Sequence, residues 1–323
     1  MSRAKVLITR PWPEAAEAWL KERFDVSVNT SGVPMTADQL KEAMLDYDAL
    51  CPTLGDRLSA EVLGVSGARV RMIANFGVGY DHIDVAAARA AGIAASNTPD
   101  VLTDATADIA LLLMLMTSRR ATEGERQLRA DGWKGWGATH MMGQSLQGKT
   151  LGLIGMGRIG QATAKRAAQA LDMKIAYTQR QQAEPDIEAM YGAEFVPEID
   201  DLVARADVLS LHCPGGEATH HLIDARRLSL MKPTAIVINT ARGTVVDEAA
   251  LAAALKAGTI WAAGLDVYEH EPRVHPDLLG LGNATLLPHL GSATIETRTN
   301  MGLRAAANVA AFFAGEPLLD RIA

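Results

Sequence analysis

The sequence is short of several things, and each shortage closes off a class of protein. Two cysteines, Cys51 and Cys213, cannot build a disulfide framework, so a reducing, cytoplasmic setting is expected. The longest apolar run, Ile109–Met116, falls far below the ~20 residues that cross a bilayer, so no membrane span is expected. Positive charge is in deficit: a net charge of −7 argues against a nucleic-acid surface, although a few placed arginines can still hold a small anion. The opening MSRAKVLITRPW lacks the long apolar core of a secretory leader. Neither an internal repeat nor a low-complexity tract is present. With 48% apolar and 21% charged residues, disorder and fibre are excluded and a soluble globular chain is expected.

What is present is a regular alternation. Short apolar runs occur at 5–9, 25–29, 48–51, 70–75 and 93–96, and again at 150–155, 174–177, 193–196, 207–212, 235–240, 261–268 and 284–288. Helix-period segments separate them, which is the pattern of βαβ units whose parallel sheets are buried on both faces. Two such series within 323 residues imply two doubly wound α/β domains. Between them, TADIALLLMLMTSRR (106–120) reads as a buried helix, apolar almost all round, that leaves a domain. DGWKGWGATHMMGQSLQG (131–148) loses periodicity and reads as a loop or arm. From Ser292 onward the spacing turns helical, with a glycine stop at Gly315.

The strongest local motif is Gly155-Met156-Gly157-Arg158-Ile159-Gly160, which follows the run TLGLI and opens a helix reaching about Leu171. Gly155 permits the tight turn, Gly157 lets backbone approach a pyrophosphate, and Gly160 lets helix pack on strand. The free N–H groups and dipole of the helix start then favour the anion. A dinucleotide fold usually places an acid about 20 residues later for the ribose hydroxyls. Here KIAY is followed by Thr178-Gln179-Arg180, so nothing repels a 2′-phosphate, and Arg180 is suited to pair with one. NADP(H) is the expected preference, with NAD(H) accepted; the alternative for Arg180 is a solvated loop arginine.

Three later segments end strands on one edge of the second sheet: 238–251, 264–272 and 286–294. Ligands of open α/β sheets bind beyond the carboxyl ends of the strands, so Arg242, Asp266, Glu271 and His289 can converge there. Arginine is bidentate to a carboxylate, histidine is a general acid near neutral pH, and a carboxylate beside it favours the imidazolium. Those are the groups needed to hold and protonate a 2-keto acid. Glu269 competes with Glu271 for the last role. The other seven histidines have no role in this reading: His212 ends a strand, His82 belongs to a turn or to packing, and His140, His220, His221, His270 and His275 are expected in solvent.

Over nearly its whole length the chain resembles the D-isomer-specific 2-hydroxyacid dehydrogenases. NFGVGYDHIDVAAA (75–88), the glycine loop, LHCP (211–214), NTARG (239–243), GLDVYEHEP (264–272) and PHLGS (288–292) occur in the family's order. The resemblance implies a catalytic trio of Arg242, Glu271 and His289. It implies a substrate carboxylate on the backbone of Val78 and Gly79, with Leu54 and Gly55 over the substrate. It assigns cofactor contacts to Thr106, Arg158, Ile159, Cys213, Pro214, Thr219, Thr240, Ala241, Asp266, His289 and Gly291. Cys213 is expected as a small wall residue, since nothing near it in sequence lowers its pKa.

The fold expected is two Rossmann-like doubly wound parallel-sheet domains: a discontinuous substrate domain of residues 1–100 and 293–323, and a dinucleotide domain of 101–292, with a cleft that closes on substrate. Within the family, 102–115 and 131–143 look most like glyoxylate/hydroxypyruvate reductases, and the chain ends without the regulatory extension many phosphoglycerate dehydrogenases carry. The expected reaction is hydride transfer from the nicotinamide to C2 of a small 2-keto acid, with His289 as general acid and no metal. The alternatives are another 2-hydroxy acid of the family, or an NAD-gated corepressor-like scaffold, which the intact trio and the absent interaction tail disfavour. A homodimer is expected through the long helix and the arm. Trp133 and Trp136 are expected to pack, while the family suggests an arm tryptophan in the partner subunit's pocket.

Overall fold

The computed structural model describes residues 3–323; Met1 and Ser2, at the start of the stretch read for a leader, lie outside the described residues. The chain folds as two compact units, one of residues up to Leu102 together with Ser292–Ala323, the other Thr103–Gly291.

The first unit holds a parallel sheet of β1 (Lys5–Ile8), β2 (Asp25–Val28), β3 (Ala49–Cys51), β4 (Met72–Ala74) and β5 (Ala94–Ser96), in the order β2-β1-β3-β4-β5. The second holds β6 (Thr150–Ile154), β7 (Lys174–Thr178), β8 (Ala193–Phe195), β9 (Val208–Leu211), β10 (Ile236–Asn239), β11 (Ala262–Leu265) and β12 (Ala284–Leu286). Their order is β12-β11-β10-β9-β6-β7-β8, again all parallel. All twelve apolar runs supply a strand. The central ones, such as IVIN and VLSL, are buried at every position, as a sheet covered on both faces requires. Each order reverses once, between β1 and β3 and between β6 and β9, and crevices for ligands open at such switch points.

The run at 261–268 pairs only over Ala262–Leu265. Its neighbour β12 ends at Leu286, and the Asp266 carbonyl accepts instead from the N–H of His289, at 2.9 Å. The helix read over 106–120 forms at Thr103–Ser118, and a second helix, Ala121–Arg129, follows it after Arg120 takes a left-handed φ of 55°. Arg120 is held there by a two-pronged bond to Glu123, at 2.9 and 2.7 Å. The first helix buries Ala107, Ala110, Leu113 and Met114 but leaves Leu112 and Leu115 exposed. The arm at 131–148 has turns only, and the expected packing of its tryptophans fails within the chain. Trp136 is 87% and Trp133 52% exposed, since no element among the described residues covers them.

The last helix, Ile295–Ala314, starts with the Thr294 side chain accepting the Thr297 N–H and stops at Gly315, φ 74°. It returns to the first unit because Gly302 gives it room: a Cβ there would come 2.5 Å from the Cβ of Ala16 on the helix Glu14–Lys21. Arg304 then grips Asp320 at 2.6 and 2.8 Å, and the tail donates from Ile322 to the carbonyl of Ala95 in β5. Among the described residues no helix is long and apolar enough to cross a membrane.

Candidate active site and cofactor cradle

In the second unit every motif leaves a strand at its carboxyl end. After β6 the chain turns through Gly155 at φ 100°, where a Cβ would lie 2.9 Å from the His212 carbonyl. A Cβ at Gly160 would sit on the carbonyl oxygen of Gly155, so the helix Arg158–Leu171 starts hard against the turn. Gly157 is different: a Cβ would meet no protein atom within 4 Å, so its bareness serves something other than the protein's own packing. Arg158 and Ile159 form the helix's first turn, whose N–H groups have no intrahelical acceptor. Beyond β10, the hydroxyl of Thr240 is buried with no hydrogen-bond partner among the described residues. An open glycine at a helix start and an orphaned buried hydroxyl both fit a bound dinucleotide.

Gln179 follows β7 and its carbonyl accepts the Met156 N–H of the glycine loop at 2.9 Å. Its amide N–H groups remain to meet a ligand. Arg180 beside it is exposed and makes no hydrogen bond or ion pair among the described residues. After β9, burial pushes the Cys213 thiol up to about 11, which suits a wall residue and not a nucleophile. Pro214 O accepts the Thr219 hydroxyl at 2.7 Å, closing the loop between them. His212 is half-buried, its pKa pushed down to about 4 by desolvation, with Nε2 2.9 Å from the Ser210 hydroxyl.

Arg242 stands just past β10, where Asn239 braces the turn: its Nδ2 donates to Arg242 O at 2.9 Å and its Oδ1 accepts from Ala241 N at 3.0 Å. Past β11, the Glu271 carboxylate accepts the Tyr268 N–H on Oε1 at 3.1 Å and meets His289 Nδ1 with Oε2 at 2.8 Å. Partial burial raises the pKa of Glu271, but the bond and charge of His289, the Tyr268 N–H and Arg242 outweigh it and hold the carboxyl below its ordinary range. Glu269 turns elsewhere, to Nε2 of His221 at 2.7 Å, while its own N–H donates to the buried Glu248. The choice between the two glutamates, open in the sequence itself, is thus settled in geometry: Glu271 is the one at His289.

His289 has a left-handed φ of 55°, a conformation that costs a side-chain-bearing residue ~1–2 kcal/mol. The turn is held by Asp266: its carboxylate accepts the N–H groups of Leu290 and Gly291 at 2.6 and 2.7 Å. Thr106 adds a bond from its hydroxyl to Gly291 O at 3.1 Å. Asp266 is fully buried, and desolvation, its largest influence, raises its pKa. Two histidines expected in solvent are engaged instead. His221 is half-buried against Glu269 and stacked on His220 at 3.9 Å, and His275 caps the short helix Pro276–Leu279. In the first unit, Leu54 and Gly55 follow β3 in a loop tied by the buried Asp56, which accepts from Thr9, Thr53 and Met35. Val78 and Gly79 follow β4. Asn239, Asp56 and Glu248 carried no sequence signal beyond being polar near a strand end or helix start.

A parallel seven-stranded sheet with this glycine loop, and a histidine–carboxylate pair at its carboxyl edge, is the make-up of a nicotinamide-dependent dehydrogenase. The chain belongs to the D-isomer specific 2-hydroxyacid dehydrogenases: the description of that family's NAD binding domain matches residues 111–291. It is 44% identical over 318 residues to a glyoxylate reductase of Thermococcus onnurineus, covering 97% of this chain and 94% of that protein. It is 39% identical over 315 residues to a glycerate dehydrogenase of Hyphomicrobium methylovorum, covering 98% of each. Among solved structures, an NADPH-dependent glyoxylate/hydroxypyruvate reductase from Sinorhizobium meliloti, in complex with NADP and malonate, superposes with a TM-score of 0.89 at 36% identity. That match covers 100% of this chain and 97% of the other.

Proposed function

We propose that the protein reduces a small 2-keto acid, glyoxylate or hydroxypyruvate, to the D-2-hydroxy acid, using NADPH in preference to NADH, as a cytoplasmic homodimer. The observation that carries the reading is the Glu271–His289 contact of 2.8 Å beside Arg242, at the carboxyl edge of β10–β12. The relatives named glyoxylate reductase and the Sinorhizobium meliloti glyoxylate/hydroxypyruvate reductase support these substrates.

A bound reduced nicotinamide supplies the hydride. Gly157, the first turn at Arg158 and Ile159, and Thr240 hold its dinucleotide, with Gln179 and Arg180 at the adenosine ribose. With Nδ1 held by Glu271, His289 delivers its proton from Nε2 to the carbonyl oxygen. Glu271 aims the imidazole through that bond. Arg242 stabilises the negative charge that grows on that oxygen, and the N–H groups of Val78 and Gly79 take the carboxylate. The dimer reading rests on Leu112, Leu115, Leu128, Trp133, Trp136 and Met142, an exposed apolar set on two neighbouring helices and the arm. Free thiols at Cys51 and Cys213 suit a reducing compartment.

The test is an absorbance assay at the nicotinamide band over glyoxylate, hydroxypyruvate, pyruvate, a phosphorylated and a bulky 2-keto acid, each with both cofactors. The expected order places glyoxylate and hydroxypyruvate first in kcat/KM. A higher kcat/KM for the bulky or phosphorylated acid overturns the substrate assignment, and tight cofactor binding without turnover of any acid favours the scaffold reading.

A further inference from the structure

We propose that Asn75 and Asn97 are positioning residues for the substrate carboxylate: they turn three successive carbonyls of the loop after β4 inward and thereby aim the N–H groups of Val78, Gly79 and Tyr80 as one anion-binding nest. The proposal rests on the reading that Val78 and Gly79 take the carboxylate, and it names what builds that subsite.

Asn75 leaves the end of β4 fully buried. Its Nδ2 donates to two loop carbonyls at once, Gly77 O and Gly79 O, each at 2.9 Å. Asn97 leaves the end of the adjacent β5, and its Nδ2 donates to the carbonyl between them, Val78 O, at 2.8 Å. Gly77 O also accepts the Thr98 N–H at 3.1 Å, and Tyr80 O accepts from Ile83. Four consecutive carbonyls are therefore satisfied from the protein side.

A trans peptide is planar, with its C=O and N–H pointing opposite ways. Fixing the oxygens of residues 77, 78 and 79 inward fixes the N–H groups of 78, 79 and 80 the other way. Those three N–H groups donate to no group of the protein among the described residues, although Val78 and Gly79 are half-buried. Unpaired backbone donors in such a place are uncommon, and a run of them forms a concavity that binds anions. The loop was bent to satisfy its acceptors and leave its donors, which is the polarity a carboxylate requires.

The amide chemistry is specific. Asn75 Oδ1 lies 3.0 Å from Nε2 of His82, and an acceptor there makes that nitrogen the donor, so His82 sets which end of the amide faces the loop. An aspartate of the same shape would confront the loop carbonyls with oxygen and put a negative charge beneath an anion site.

The experiment compares wild type with Asn75→Asp, Asn97→Asp and Asn97→Ala in three measurements. They are KM and kcat for glyoxylate at saturating cofactor, Kd for oxamate with cofactor bound, and Kd for NADPH alone. The aspartates should raise KM and the oxamate Kd about tenfold or more, as loss of a hydrogen-bonded anion contact does. The NADPH Kd should stay within about twofold, with kcat reduced less than KM is raised; Asn97→Ala should fall between. A merely structural role would lower the melting temperature and weaken NADPH alike. If Asn75→Asp does not fold, the less enclosed Asn97 variants decide. A folded variant that binds NADPH normally and keeps wild-type oxamate affinity overturns the proposal. Wild type that binds neither oxamate nor glyoxylate sinks the functional reading itself, and this inference with it.

Discussion

Oε2 of Glu271 lies 2.8 Å from Nδ1 of His289, and its other oxygen is already fixed by the Tyr268 N–H. A carboxylate held at both oxygens cannot rotate away, so the imidazole is aimed. The bond and charge of His289, the Tyr268 N–H and Arg242 hold the Glu271 carboxyl below the ordinary carboxylate range against partial burial. Glu271→Gln removes the carboxylate charge, and the protonated ring loses its partner. On the proposed mechanism, in which reduction uses the protonated ring, the pH at which kcat/KM falls should move toward acid. Glu269→Gln, whose partner is His221, should leave the profile where it is. The reverse pattern in the two profiles would exchange the roles of the two glutamates.

Removing the ring tests the proton donor. General acid catalysis typically contributes roughly 10²–10⁴-fold, so His289→Ala should lose about that much in kcat. NADPH titrated by fluorescence should still bind. Full turnover in this variant would reject His289 as the acid.

On the proposed mechanism, Arg242 should affect both binding and chemistry, because its contact would strengthen as charge develops on the carbonyl oxygen. In Arg242→Lys a point charge replaces a planar fork, so KM should rise and kcat fall together. Steady-state constants equal to wild type would remove Arg242 from the mechanism.

At the ribose end, Gln179 has its carbonyl on Met156 and Arg180 is an exposed cation. Neither repels a phosphate, and a charge-assisted bond is roughly twice as strong as a neutral one. Solvent screening reduces the gain, leaving an expected preference for NADPH of about tenfold to a hundredfold in kcat/KM, or ~1.4–2.8 kcal/mol. The pair Gln179→Asp with Arg180→Ala should reverse it. A wild type that favours NADH would show that Arg180 stays in solvent.

The apolar set around Trp136 should be covered in solution. Light scattering should report about twice the 34.4 kDa of one chain. A mass of one chain would reject the dimer.

The strands, their grouping into two parallel series and the glycine loop were legible from local pattern, because buried parallel strands are short apolar runs and a phosphate turn needs glycine at set spacings. Two other features were not. The second helix, Ala121–Arg129, starts from a left-handed Arg120 held by a bidentate bond to Glu123, and no local pattern marks that start. The exposed arm tryptophans look like packing residues until the elements that could have covered them are seen elsewhere.

The sequence by itself determined the α/β class, the parallel sheets and which residue types lie past their carboxyl ends, since these follow from periodicity and spacing along the chain. Only the tertiary structure decided that Glu271 and not Glu269 meets His289, that Asp266 clamps the turn carrying it, and that Asn75 and Asn97 orient the loop of Val78 and Gly79. Each of those is a hydrogen bond of 2.7–2.9 Å whose partners stand 2 to 25 residues apart. Apart from the local contact of Asn75 with Gly77, the partners meet because neighbouring strands deliver their ends to one edge, and spacing along the chain says nothing about which of two nearby carboxylates will point the right way.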